Sequence, residues 1–125
     1  MDFLLRMHAN LLFTIVFFFL IIGGWGVINH IRKRDTTSGF HSALAIGELL
    51  LVAEFIIGVL LFAGGLRAYR MSIHIIYGVV AVVTIPAVYL YLRGRSGRWD
   101  QLIYAMTCLF VSAIALRGLE TGQTP

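Results

Sequence analysis

The chain has 125 residues, of which 59% are hydrophobic and only 13% charged, with a formal net charge of +4 and a mean hydropathy of +0.89. That balance excludes an ordinary soluble domain, in which about a quarter of the residues are charged. It also excludes nucleic acid as the meaning of the positive charge, because the basic residues gather at the ends of apolar runs, where membrane topology uses them.

Four apolar runs follow in chain order: Leu11–Ile28, Phe40–Gly65, Met71–Leu92 and Gln101–Leu116. A helix rises about 1.5 Å per residue, so about 20 residues cross a hydrocarbon core of about 30 Å. The predicted spans are 8–30, 40–65, 71–92 and 99–117, which leave a single transmembrane domain over 1–125. Short connections predict an all-α membrane protein, a four-transmembrane-helix up-down-up-down bundle with helices one and three parallel across its diagonal. The first run exceeds the core of a signal peptide, and Gly23-Gly24-Trp25-Gly26 offers no small-x-small cleavage site, so it is expected to be retained. Gly47, Gly58, Ala63, Gly64 and Gly65 on the second span, with Ala113 and Ala115 on the fourth, mark expected close approaches. Pro86 lacks a backbone donor and predicts a kink in the third span. Cys108 stands alone, which rules out an internal disulfide and reads as packing. Trp25, Tyr77, Tyr89, Tyr91 and Trp99 sit near span ends, as interfacial aromatics do.

Arg32, Lys33 and Arg34 after the first span and Arg93, Arg95 and Arg98 after the third make up six of the ten Lys and Arg residues. The positive-inside rule therefore predicts an integral protein, of the bacterial inner membrane, with both termini on the outer side. A weak two-fold internal repeat agrees with this arrangement. Met7-His8 opens one half and Ile73-His74 the other, and Ala63-Gly64-Gly65-Leu66-Arg67 answers Ala113-Ile114-Ala115-Leu116-Arg117. Parallel repeats place equivalent residues opposite one another at one depth.

His8 and His74 are such a pair, near the outer ends of parallel spans. Two neutral imidazoles at one level, with a slot between them, are what bis-histidine ligation of one haem b requires. Gly64 at the end of the second span and Gly78, four residues after His74 on the same helix face, are the expected small residues of that slot. Arg67, Arg70 and Arg117, with Arg6 nearby, stand at the outer rim, and their planar forks suit the propionates. Met7 and Met71 are alternative sulfur ligands of lower rank, since methionine is common gap filler. Two filled axial positions favour electron transfer over oxygen chemistry, and so an electron-transfer or accessory subunit over a stand-alone enzyme. The membrane quinone pool or a redox protein is the expected partner, within a larger respiratory or photosynthetic complex or a homo-oligomer.

The four spans with His8 and His74 resemble small b-type membrane cytochromes, cytochrome b561-like in arrangement. The resemblance implies the same cofactor and the same electron-relaying role. It departs from the family in one respect: those proteins commonly pair ligands at both membrane faces, whereas His74 is the only histidine of the third span. A second haem of that design is not implied.

His30 and His41 lie at the other face and could share a metal across the first hairpin, although no framework of further ligands accompanies them. Glu48 and Glu54 are the acidic residues inside the second span. An ionised carboxylate there costs several kcal/mol unless it is neutral or paired, and Thr84, Tyr104 and Thr107 are the expected partners of Glu54. Glu54 is therefore the candidate for proton handling. Six residues make about 600° of helix, so the two carboxylates point about 120° apart and form no acid pair. Gly-rich phosphate loops, nucleophile elbows and His-Glu-x-x-His motifs are absent. Two rivals stand beside the haem reading: a non-redox structural or assembly subunit, and a small proton-coupled transporter using Glu54.

Overall fold

A computed structural model describes residues 2–65, 67 and 71–123, with side chains up to 118. Its elements are four helices: α1 (Asp2–Ile31), α2 (Ser38–Ala63), α3 (Met71–Leu92) and α4 (Arg98–Gln123). All four are long and apolar enough to cross a membrane, which fits an integral membrane protein set in a lipid bilayer. No strand occurs among the described residues. Helix α1 begins six residues before the predicted span and α4 ends six after it, because hydrogen bonding continues where hydropathy stops. At 30 residues α1 is about 45 Å long, more than the hydrocarbon needs.

The chain ends each helix in an identifiable way. Thr37 caps α2 by accepting a hydrogen bond from the Phe40 amide at 3.1 Å, and Gly64 closes it with its amide on the Leu60 carbonyl. Lys33 and Arg93, each at positive φ, turn the chain out of α1 and α3. The Thr36 amide donates to the Ser96 carbonyl at 2.8 Å, which ties the two basic loops together at one end of the bundle. Helix α3 runs unbroken through Pro86.

Each helix touches its neighbours in sequence, and α4 returns to α1 to close the ring. Helices α1 and α3 are therefore diagonal, and they are parallel. The most extensive contact is α1 on α4, and the least is α2 on α3. Glycine sets the first. A Cβ on Gly26 would lie 2.7 Å from the Ala105 Cβ and 2.9 Å from Gln101 Nε2, and one on Gly23 would lie 2.6 Å from Leu109. These residues make a close crossing, which is van der Waals packing of the small-residue kind. Ser112 adds one bond to it, donating its hydroxyl to the Val16 carbonyl at 2.9 Å. The dry core is Ile15, Phe19, Phe40, Leu51, Val111 and Cys108 with their neighbours. Outward lie large apolar side chains such as Ile21, Leu90 and Tyr91, 71%, 72% and 78% exposed, as a lipid-facing surface requires.

Gly26→Ala should lower the melting temperature in detergent, because the Ala105 Cβ is fixed to a helix backbone and cannot swing away. Overpacking of this kind costs about 1–3 kcal/mol. Ser112→Ala should cost less, about 0.6 kcal/mol, the average for interhelical hydrogen bonds in a membrane. A thermal or SDS titration giving the reverse ranking would show that the seam is looser than described.

Candidate functional site

At the end of the bundle opposite the basic loops, α1 and α3 each carry a half-buried histidine, and the two rings meet across the diagonal. The His8 and His74 centroids are 6.1 Å apart, with 66° between the ring planes. Each ring is held through Nδ1. His74 Nδ1 lies 2.9 Å from the Gly118 carbonyl of α4. A carbonyl only accepts, so this nitrogen carries the proton. His8 Nδ1 lies 2.8 Å from Glu54 Oε1 of α2, within ion-pair distance of the carboxylate. Both rings are thereby oriented through Nδ1. Hydrogen bonding at one imidazole nitrogen commonly sets up the other as a metal ligand.

The sequence places Glu54 inside the second span, with Thr84, Tyr104 or Thr107 as partner. The structure gives it His8 instead. The Thr84 and Thr107 hydroxyls bond back to carbonyls four residues earlier on their own helices, Val80 and Ile103. Glu54 is 8% exposed, and its Oε2 is buried with no hydrogen-bond partner among the described residues. Gly58, one turn further along α2, makes room for the His8 ring: a Cβ there would lie 3.3 Å from His8 Cε1.

The two rings and Glu54 border a cavity of about 330 Å³. That lies at the lower end of the range of about 300–1,000 Å³ usual for small-molecule and cofactor sites. The rest of its wall is mostly aliphatic and aromatic, including Leu12, Leu51, Ala81 and Ile114. Phe55, Val59 and Ile75 line it while remaining exposed on the outer surface, so it opens toward the bilayer between α2 and α3, where packing is thinnest.

The other predicted site residues divide. Gly78 lines the cavity, but the Phe55 ring covers it at 3.6 Å from where a Cβ would stand. Gly64 is an exposed cap and is not among the lining residues. Arg67 does line the cavity, with its guanidinium 3.8 Å above the Phe62 ring and Nη1 donating to the Phe62 carbonyl at 2.8 Å. Arg117 is exposed near the end of α4 and is not a lining residue. Arg70 lies outside the described residues. Met71 borders the cavity, and Met7 does not.

His30 and His41 do not come together on a metal. His30 Nδ1 takes the Arg98 carbonyl at 3.0 Å and stacks on Trp99, whereas His41 Nε2 pairs with the Ser96 hydroxyl at 3.1 Å between the rings of Tyr89 and Tyr104. Among the described residues no group of three or more His, Cys, Asp or Glu side chains is placed to hold a metal ion.

Sequence reasoning missed the Gly118 carbonyl and the His8–Glu54 contact. The first leaves no trace in side-chain identity. The second could have been sought by asking which polar group on a neighbouring helix meets Glu54 at its own depth. Comparison with known proteins returned no matching family model, curated protein or solved structure, so the functional reading rests on the chemistry of the site.

Glu54→Leu should release His8 Nδ1 and leave a buried donor unpaired, at a cost of about 1–3 kcal/mol. Glu54→Gln, whose amide oxygen still accepts, should retain most of that stability. Nitrogen NMR of labelled histidine checks it: His8 should hold the Nδ1–H tautomer in the wild type and Glu54→Gln, and become a tautomer mixture in Glu54→Leu.

Proposed function

We propose that this chain is a membrane haem protein that holds one haem b between His8 and His74 and relays electrons. The observation that carries the reading is the spacing of two imidazoles whose Nδ1 atoms are both engaged. A metal–imidazole bond is about 2.0–2.1 Å and the ring centre lies roughly 1.1 Å beyond the nitrogen, so two imidazoles that would share one metal ion have centroids at most about 6.3 Å apart. The separation here is 6.1 Å. The planes of the two rings are 66° apart.

The count of ligands points the same way. A bare zinc or copper ion takes three or four protein ligands, and two imidazoles do not complete such a set. Haem iron brings four nitrogens of its own and asks only two of the protein. The aliphatic wall suits a porphyrin face, and Arg67 at the cavity offers a planar cation to a propionate. When bound, the haem would supply one-electron chemistry. The chain's own part is to hold both ligand nitrogens, to keep water from the iron with Leu12, Leu51 and Ile114, and to set ligand basicity through Glu54 and Gly118.

An opening toward lipid favours an electron partner that lives in the bilayer, a quinone or a neighbouring membrane subunit, within a larger complex or homo-oligomer. The buried His8–Glu54 contact is also what a proton-coupled carrier would use. That second reading requires transport without a chromophore.

Detergent-purified protein, expressed with haem supply, should show a low-spin reduced spectrum with a sharp α-band and one haem per chain by extraction. His8→Ala and His74→Ala should each abolish or convert that band to a high-spin form. A colourless wild-type protein, or a band unmoved in the double variant, would sink the assignment.

A further inference from the structure

The basic-loop end of the bundle contains a second polar group, which the haem reading does not use. Gln101 and Tyr104 of α4 are 0% and 1% exposed, yet Gln101 Oε1, Gln101 Nε2 and the Tyr104 hydroxyl have no hydrogen-bond partner among the described residues. His41 Nδ1 and Glu48 Oε1 on α2 are buried in the same condition.

These atoms belong to one region. The Tyr104 ring packs against His41 at 5.3 Å and Phe40 at 6.4 Å. The Gln101 amide and the same Phe40 ring both border the space that a Cβ on Gly26 would take, at 2.9 and 3.2 Å. Seven residues separate His41 from Glu48, which is nearly two whole helical turns. Glu48 therefore lies on the His41 face of α2, about 10 Å deeper in the bundle. On the outside, His41 Nε2 is bonded to Ser96 in the loop between α3 and α4.

Leaving several buried donors and acceptors unmade would cost about 1–3 kcal/mol for each. Their chemistry narrows what can satisfy them. Gln101 presents a donor and an acceptor, the tyrosine hydroxyl can do both, and a carboxyl oxygen accepts. Only a small molecule that donates and accepts at once suits such a mixed set. Buried water does this, with about three hydrogen bonds each.

We infer that the basic-loop end is a buried water-binding site, in which ordered water bridges Gln101, Tyr104 and His41 and continues inward to Glu48. Its use is to bring protons from the loop surface to a carboxyl inside the bundle. The inference does not depend on haem, and iron binding at the other end neither supports nor weakens it.

Radiolytic footprinting tests it, because hydroxyl radicals formed from bound water mark side chains that bulk solvent cannot reach. The wild-type protein in nanodiscs should be labelled at Tyr104 and at Glu48, while Phe19, also 0% exposed, remains at background. Gln101→Leu should lower Tyr104 labelling at least fivefold, and Gln101→Met serves in its place if the leucine variant does not fold. Background labelling of either Tyr104 or Glu48 in the wild type overturns the inference, as does Tyr104 labelling indifferent to the loss of the amide.

Discussion

In hydrocarbon a polar side chain has no water to turn to, so it takes its orientation from whichever polar group the neighbouring helix presents at its own depth. The His8–Glu54 contact at 2.8 Å is that constraint made specific. It fixes a ring on α1 through a carboxylate on α2, while His74 on α3 is fixed through a carbonyl on α4. Each histidine is thus held by the helix that follows it in the chain. The two halves of the molecule use one device with different chemistry, a side chain in the first and backbone in the second. Remove either acceptor and the ring loses the contact that orients it.

That arrangement also depends on how unevenly the bundle is packed. Gly23 and Gly26 bring α1 onto α4 until methyl and amide groups nearly touch, and Ser112 pins the register. This tight seam sets the level of both histidines at once, because α1 carries His8 and α4 carries the Gly118 carbonyl that receives His74. Helices α2 and α3, by contrast, make the slightest contact, and the cavity opens along their line. One closely packed side and one thinly packed side give a site whose histidines are fixed while its wall stays accessible from the membrane.

Much of this was legible in the sequence, for identifiable reasons. Four apolar runs separated by short connections leave few ways to pack, so the diagonal, parallel relation of the first and third spans followed, and with it the meeting of His8 and His74. The extent of α1 and α4 did not follow, because hydropathy reports immersion in lipid and not helical hydrogen bonding. Nor did the partner of Glu54: Thr84 and Thr107 were plausible from depth, but a hydroxyl in a membrane helix can bond its own backbone one turn back. Gly78 was expected to leave a slot, and the slot is covered by Phe55 from a helix whose rotation no local pattern specified. Gly23 and Gly26 were noticed only as a poor cleavage site, since their packing role exists only once Ala105 is known to face them.

The two ends of the bundle treat buried polarity in opposite ways, and this limits what the protein can do alone. At the histidine end the two rings are oriented by Glu54 and the Gly118 carbonyl and border a largely apolar hollow. At the basic-loop end Gln101 and the Tyr104 hydroxyl are buried without a hydrogen-bond partner among the described residues. A single redox group beside one face cannot carry an electron across the full depth of the membrane, because the opposite end supplies His41 to Ser96 and His30 to a carbonyl, each on a different neighbour and neither facing the other. An electron entering at the histidine site would therefore leave from the same side or pass sideways into an adjoining membrane component. On the proposed reading, the lateral opening between α2 and α3 is the part of the fold that would serve the second route.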